Sequence, residues 1–206
     1  MTKVKICGIT NLIDARACVH FGADLIGFVF YKKSRRYISA VRAKKIIEKL
    51  PVGIKKTGVF VNQAPEEVKR IARLCRLDHL QFHGDETPDY LNKFNGFEII
   101  KAFRIRDKFD LKTLSSYKVD YFLFDTFSKN AFGGTGRKFD WKLLKALKNI
   151  KTPFFVSGGL TVQNVAEMVR LAKPFCVDVS SGVERSAGKK DHRLVEEFIQ
   201  KAKVRV

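Results

Sequence analysis

Val4-Lys5-Ile6-Cys7-Gly8-Ile9-Thr10 reads as a short strand that ends almost at once in a cysteine. Val4 and Ile6 form an apolar face, while Lys3, Lys5 and Cys7 share the other. A strand normally buries its apolar face and shows its polar one to water. The same division returns downstream, and there the polar parity repeatedly finishes in a chemically capable residue. In Tyr121-Phe122-Leu123-Phe124-Asp125 the even positions are apolar and Asp125 closes the other face. Cys176-Val177-Asp178-Val179-Ser180 sets Asp178 and Ser180 together, and His79-Leu80-Gln81-Phe82-His83 sets out His79, Gln81 and His83. Strands with one side apolar, against helices, and the other converging on a polar centre describe a closed parallel barrel whose mouth is a reaction site.

Strand patterns fall near residues 3–7, 24–30, 55–60, 78–82, 97–102, 120–125, 153–157 and 175–179. Between them run helical patterns from Asn11 to Phe21, Ser39 to Leu50, Pro65 to Cys75, Pro88 to Phe94, Leu111 to Ser116, Trp141 to Asn149 and Val162 to Lys173, with a last one over Asp191 to Lys203. Asn11 with Asp14, and Thr161 with Asn164, resemble N-terminal caps. Pro65 and Pro88 suit first helical turns. Asp107 to Lys118 has mixed periodicity. Right-handed βα succession over this length predicts a (β/α)₈ TIM barrel, a closed eight-stranded parallel sheet ringed by helices, as one domain over residues 1–206. An open doubly wound sheet would explain the alternation but not the polar residues on one parity of so many strands.

Forty-five per cent hydrophobic content speaks against disorder. No apolar run reaches the roughly 18 residues of a membrane span, and the start lacks a signal-peptide layout, so a cytoplasmic enzyme without a membrane partner is the expectation. The four cysteines, Cys7, Cys18, Cys75 and Cys176, form no C-x-x-C pair, which argues against zinc and against a disulfide scaffold. Forty basic against 21 acidic residues give a net charge of +19. That charge fits attraction to an anion, either nucleic acid or a small phosphorylated metabolite, or else a lysine-rich solvated surface. The basic residues form no continuous stripe and no nucleic-acid motif accompanies them, so a nucleic-acid partner is not expected.

Active sites of such barrels lie at the carboxyl ends of the strands. Ser157-Gly158-Gly159-Leu160 follows the seventh strand and Ser180-Ser181-Gly182-Val183-Glu184 the eighth. Backbone N–H groups there, with serine hydroxyls and a short extra helix, suit a phosphate, which makes Gly158, Gly159, Ser180 and Ser181 the candidate phosphate contacts. The other reading of these glycines is tight turns alone. Cys7 and Asp125 finish strands nearly across the mouth and suit acid–base work, one protonating a leaving oxygen while the other removes a carbon-bound proton. A thiol near pKa 8.5 becomes a useful base only where its surroundings favour thiolate, and Lys5 with the basic field is the candidate source of that effect. Arg36, in Tyr31-Lys32-Lys33-Ser34-Arg35-Arg36-Tyr37, can grip a carboxylate with a planar fork; a solvated basic loop is the alternative. Asp178 is either a ligand contact or an interior ion-pair partner of Lys5. Gln81 and His83 either line the pocket or fill a polar layer.

These residues resemble the phosphoribosylanthranilate isomerase family. The similarity runs through Lys5-Ile6-Cys7-Gly8-Ile9-Thr10, Gly27-Phe28-Val29-Phe30, Ser34-Arg35-Arg36-Tyr37, Gly58-Val59-Phe60-Val61-Asn62, Gln81-Phe82-His83-Gly84, Gly133-Gly134-Thr135-Gly136 with Phe139-Asp140-Trp141, Ser157-Gly158-Gly159-Leu160 and Asp178-Val179-Ser180-Ser181-Gly182-Val183-Glu184. It implies a cofactor-free Amadori rearrangement in tryptophan biosynthesis, needing neither metal nor redox group. The resemblance gives Asp125 as general acid, Cys7 as general base, and Arg36 as the holder of an anthranilate carboxylate. It implies a small phosphorylated substrate as partner; as to assembly, the expectation stays open between a monomer and a homodimer. Lys32 stands where the family often has proline, and Arg185-Ser186-Ala187-Gly188 replaces a stretch often written with proline before glycine. The ketol isomerase of histidine biosynthesis would place aspartate at Cys7. Indole-glycerol-phosphate synthase would carry an N-terminal extension and a catalytic lysine. A phosphate- or nucleic-acid-binding protein with a retired site is the remaining alternative, against which Cys7 and Asp125 stand.

Overall fold

Strands β1 (Lys3–Cys7), β2 (Leu25–Val29), β3 (Lys55–Phe60), β4 (His79–Phe82), β5 (Glu98–Arg104), β6 (Tyr121–Asp125), β7 (Phe154–Ser157) and β8 (Cys176–Val179) each bond to the next, and β8 returns to β1. All the pairings are parallel, so the sheet closes into a barrel with no free edge. This is a computed structural model that describes residues 1–105, 111–125 and 150–204. The helical pattern expected from Trp141 to Asn149, the Gly133 to Gly136 loop, the Phe139-Asp140-Trp141 segment and Asp107 lie outside the described residues.

Helices α1 (Leu12–His20), α2 (Ala40–Ile47), α3 (Pro65–Leu74), α4 (Pro88–Leu91), α5 (Val165–Ala172) and α6 (His192–Ala202) follow the strands. The Asn11 side chain accepts the Asp14 N–H, and Ser39, Thr87 and Asp191 cap in the same way. Thr161 and Asn164 do form the reciprocal box, Thr161 Oγ1 taking the Gln163 N–H and Asn164 Oδ1 the Thr161 N–H, yet the regular helix begins only at Val165. The segment Leu111–Ser116 is a 3₁₀ helix. Its serines explain the tightening, because Ser115 and Ser116 hydroxyls donate to carbonyls three residues back, on Lys112 and Thr113.

The expected division of faces sets the core. Val4, Ile6, Phe122, Phe124 and Val177 join a cluster between sheet and helices. Inside the barrel Leu25, Ile100, Ala102, Leu123, Phe155 and Cys176 form an apolar floor, and Cys7, Val29 and Val59 lie together in a separate group. Lys5, Gln81 and Asp178 are interior and bonded to one another, a polar centre with no more than 4% of any of them exposed. A local rule repeats at the amino ends of the strands. Asp24, Asp78 and Asp120, each ahead of an even-numbered strand, accept the N–H of Val4, Lys56 and Ile99 in the strand before. At the corresponding place before β8 stands Phe175.

Candidate active site

β1 delivers Cys7 to the carboxyl end of the barrel, and Gly8 turns the chain there with φ +80. A side chain at Gly8 would also strike Arg36 Cδ at 2.7 Å and Ser180 Oγ at 2.9 Å, so this glycine lets three loops converge. Ser180 Oγ donates to the Cys7 carbonyl over 3.1 Å, and Lys190 Nζ donates to the same oxygen. Burial pushes the Cys7 thiol above its ordinary 9.0; Lys5 pulls it back, Asp178 pushes it up again, and Lys190 opposes. Lys5 and Lys190 do favour the thiolate, as the sequence suggested they could, but desolvation outweighs them and holds the thiol above its ordinary pKa.

Beneath Cys7, Lys5 is fully buried and donates to Asp178 Oδ2 at 3.0 Å and Gln81 Oε1 at 2.7 Å. Burial works against its charge, but Asp178, by charge and hydrogen bond, together with Cys7 and Cys176 holds the ammonium above its ordinary pKa. Asp178 Oδ1 is buried with no hydrogen-bond partner among the described residues. Gln81 Nε2 meets His83 Nδ1 at 3.0 Å, and His83 Nε2 meets Asp125 Oδ2 at 3.1 Å. Thus the ends of β1, β4, β6 and β8 are joined by one chain of polar contacts. The turn after His83 is anchored from outside the barrel. Glu86 accepts the Gly84 and Asn62 N–H groups and Lys101 Nζ, which itself also donates to the Gly84 carbonyl.

Arg36 is half-buried and engaged. Its Nε and Nη2 donate to Glu184, the shortest contact being 2.7 Å. Glu184 also takes Lys190 Nζ at 2.8 Å and the Gly188 N–H at 3.3 Å. It opens the small hairpin β9 (Glu184–Ser186) and β10 (Lys189–Lys190), so Gly188 in its turn is fixed where family members often carry a proline before glycine. Among the described residues Glu184 meets Nε and Nη2, one edge of a fork that has five donors. Lys32 lines a cleft of about 270 Å³ with Tyr37, Glu67 and Arg70.

On the opposite rim Gly158 and Gly159 both hold positive φ, +88 and +65. Ser181–Val183 forms a short 3₁₀ helix after β8. A side chain at Gly182 would stand 1.9 Å from the Leu160 carbonyl, so the two loops touch through backbone alone. Ser180 spends its hydroxyl on Cys7, whereas Ser181 is exposed.

The structure thus puts Cys7, Arg36, His83, Asp125, Gly158, Gly159, Ser180 and Ser181 at one end of the barrel, with Gln81 and Asp178 in the layer under it. Sequence reasoning did not assign Glu184 and Lys190 their work. Both lay in a motif or a basic run, and nothing in their spacing announces that a carboxylate and a lysine will meet Arg36 and Cys7. Among the described residues no group of three His, Cys, Asp or Glu could hold a metal ion, and no helix is long and apolar enough to cross a membrane.

Comparison with known proteins falls on this same geometry. Residues 4–201 match the family described as N-(5'phosphoribosyl)anthranilate (PRA) isomerase. The N-(5'-phosphoribosyl)anthranilate isomerase of Caldanaerobacter subterraneus subsp. tengcongensis is 48% identical over 203 residues, covering 98% of each chain. The crystal structure of the Thermotoga maritima phosphoribosyl anthranilate isomerase superposes with a TM-score of 0.88 at 39% identity, over 98% of this chain and 99% of that one. A phosphoribosyl anthranilate isomerase solved with reduced 1-(o-carboxyphenylamino)-1-deoxyribulose 5-phosphate gives 0.85 at 38% identity, with the same coverage. With a matching fold, nearly full-length similarity and the cysteine and aspartate at its strand ends, this chain belongs to the N-(5'-phosphoribosyl)anthranilate isomerase family.

Proposed function

We propose that this barrel isomerises N-(5'-phosphoribosyl)anthranilate to 1-(2-carboxyphenylamino)-1-deoxyribulose 5-phosphate in tryptophan biosynthesis, by general acid–base catalysis. The observation that carries the reading is the pairing of a buried thiol and a histidine-bound carboxyl, Cys7 and Asp125, at strand ends of one mouth. Asp125 gives its proton to the furanose ring oxygen. The bond from that oxygen to C1′ breaks, and the amine nitrogen supplies the electron pair that makes a Schiff base. Cys7, as thiolate, takes the proton from C2′, and the resulting enolamine tautomerises to the ketone. Atoms and charge balance within the substrate and these two side chains.

The two anions of the substrate have matching features at the mouth. The phosphate goes to the Gly158–Gly159 and Ser180–Ser181 loops, where backbone approach is unhindered. The anthranilate carboxylate goes to the edge of Arg36 that Glu184 leaves over. Asp178 Oδ1, buried and without a partner among the described residues, suits a sugar hydroxyl. That a similar isomerase was solved with reduced 1-(o-carboxyphenylamino)-1-deoxyribulose 5-phosphate supports a phosphorylated ligand of this kind.

The decay of substrate fluorescence, with the substrate made in situ, tests the reading. Wild type is expected to turn over, and Cys7→Ser and Asp125→Asn to lose about 10²–10⁴-fold in kcat while still binding product analogue. A wild type that binds a phosphate ligand yet leaves the fluorescence unchanged would instead make this a binding protein.

A further inference from the structure

Lys5, Gln81, His83 and Asp125 are joined by contacts of 2.7, 3.0 and 3.1 Å in that order, and only one arrangement of protons satisfies all of them. An ammonium has three donors and no acceptor. What meets Lys5 Nζ must therefore be the amide oxygen of Gln81, because the flipped amide would set donor against donor. The Gln81 NH₂ group then faces His83 Nδ1. An amide nitrogen only donates, so Nδ1 must carry a lone pair and no proton. The imidazolium, which donates from both nitrogens, is excluded on the same ground. The remaining form is neutral, with its proton on Nε2 and pointed at Asp125 Oδ2.

We propose, building on Asp125 as the acid of that reaction, that Lys5 and Gln81 are positioning residues that act through His83, fixing it as the neutral Nε2–H tautomer that donates to Asp125 before and after proton delivery. Both residues are shielded from water, Lys5 at 0% and Gln81 at 1% exposed, so the chain of dipoles is rigid and weakly screened. Asp178 keeps Lys5 charged and in place by accepting a hydrogen bond from it. The chosen tautomer suits both states of the acid. A neutral N–H can donate to the carbonyl oxygen of a protonated carboxyl and, afterwards, to the carboxylate left behind, which it stabilises. A charged His83 would hold Asp125 ionised in advance, with no proton to give. The other tautomer would turn a lone pair toward the carboxylate that forms.

The test is ¹⁵N NMR of the histidine rings, with His83 assigned by its absence in His83→Asn, combined with kinetics of Gln81→Glu and Gln81→Met. Near neutral pH wild-type His83 is expected to be neutral and protonated on Nε2. Glutamate at position 81 keeps the bond to Lys5 but accepts from the ring, so His83 gains a proton on Nδ1. There kcat falls about thirtyfold while KM stays within about twofold. Methionine, similar in size and unable to donate, gives mixed tautomers and a smaller loss, about fivefold. Wild-type His83 protonated on Nδ1, or Gln81→Glu with wild-type kcat, would overturn the proposal. So would equal losses in both variants with the wild-type tautomer retained, since that marks a packing effect. If Gln81→Glu fails to fold, the wild-type spectrum and Gln81→Met decide. A wild type that shows the expected tautomer but no turnover removes the isomerase reading and leaves the hydrogen-bond chain standing.

Discussion

Under the proposed mechanism Cys7 carries the least convenient chemistry of the site, a base made from a thiol that burial pushes above 9.0. Its thiolate fraction then rises about tenfold per pH unit over the neutral and mildly alkaline range. Alkylation of Cys7 by iodoacetamide, followed by mass spectrometry of its peptide, is expected to accelerate in that proportion from pH 7 to 9 without levelling off. A plateau below pH 8 would show instead that Lys5 and Lys190 prevail over desolvation. Cys18 and Cys75, pushed up to about 12 and about 11, should lag far behind. At this scale the sequence was readable wherever strand parity alone decides. Parity put Lys5 and Cys7 on one face, and Asp178 and Ser180 on another. It could not say that Lys5 reaches Gln81, 76 residues on, as well as Asp178, 173 residues on, because those meetings depend on strand register around a closed ring. The same gap explains Arg36. Its fork suggested a carboxylate partner, and the structure supplies one from the protein itself.

Among the elements, the β9–β10 hairpin is small and strongly tied. Burial raises the cost of a charge on Glu184, yet hydrogen bonds from Arg36 and the charge of Lys190 hold its carboxyl below the ordinary 4.5. Its folded value lies below its unfolded one, so the ionised group contributes stability above about pH 4.5, and that contribution disappears as pH falls through the folded value. Glu184→Leu leaves Lys190 buried without a counter-charge and is expected to cost about 3 kcal/mol at pH 7 by urea unfolding. The gap between variant and wild type should narrow below pH 4; a difference that is constant with pH would point to packing instead. Strand and helix positions were legible from apolar alternation, side-chain caps and proline starts. The 3₁₀ segment Leu111–Ser116 was not, because its geometry comes from serine hydroxyls competing for backbone carbonyls, a local effect that periodicity does not register. Nor was the hairpin, whose order comes from Glu184, Thr10 and Lys190 rather than from any strand pattern of its own.

For the whole molecule, the chain carries a net charge of +19, and its proposed substrate has two anionic groups. Such a field speeds encounter and is screened by salt, whereas the chemistry inside the barrel is not. From about 20 mM to about 0.5 M salt, kcat/KM should fall by about tenfold while kcat stays within about twofold. Unchanged kcat/KM would leave the charge as solvated surface. The aspartates at the amino ends give the molecule a further property, one of sequence in time. Asp24, Asp78 and Asp120 reach back only 20, 22 and 21 residues, so each of the first three strand pairs can be clipped soon after its second strand leaves the ribosome. β1's other edge has to wait for β8, and Lys5 for Asp178, 173 residues later. Lys190, which holds the Cys7 carbonyl, comes later still, 183 residues after the cysteine. A nascent chain therefore carries Cys7 on an unfinished strand through most of its synthesis, and its surroundings are complete only after the ring has closed and Lys190 has followed.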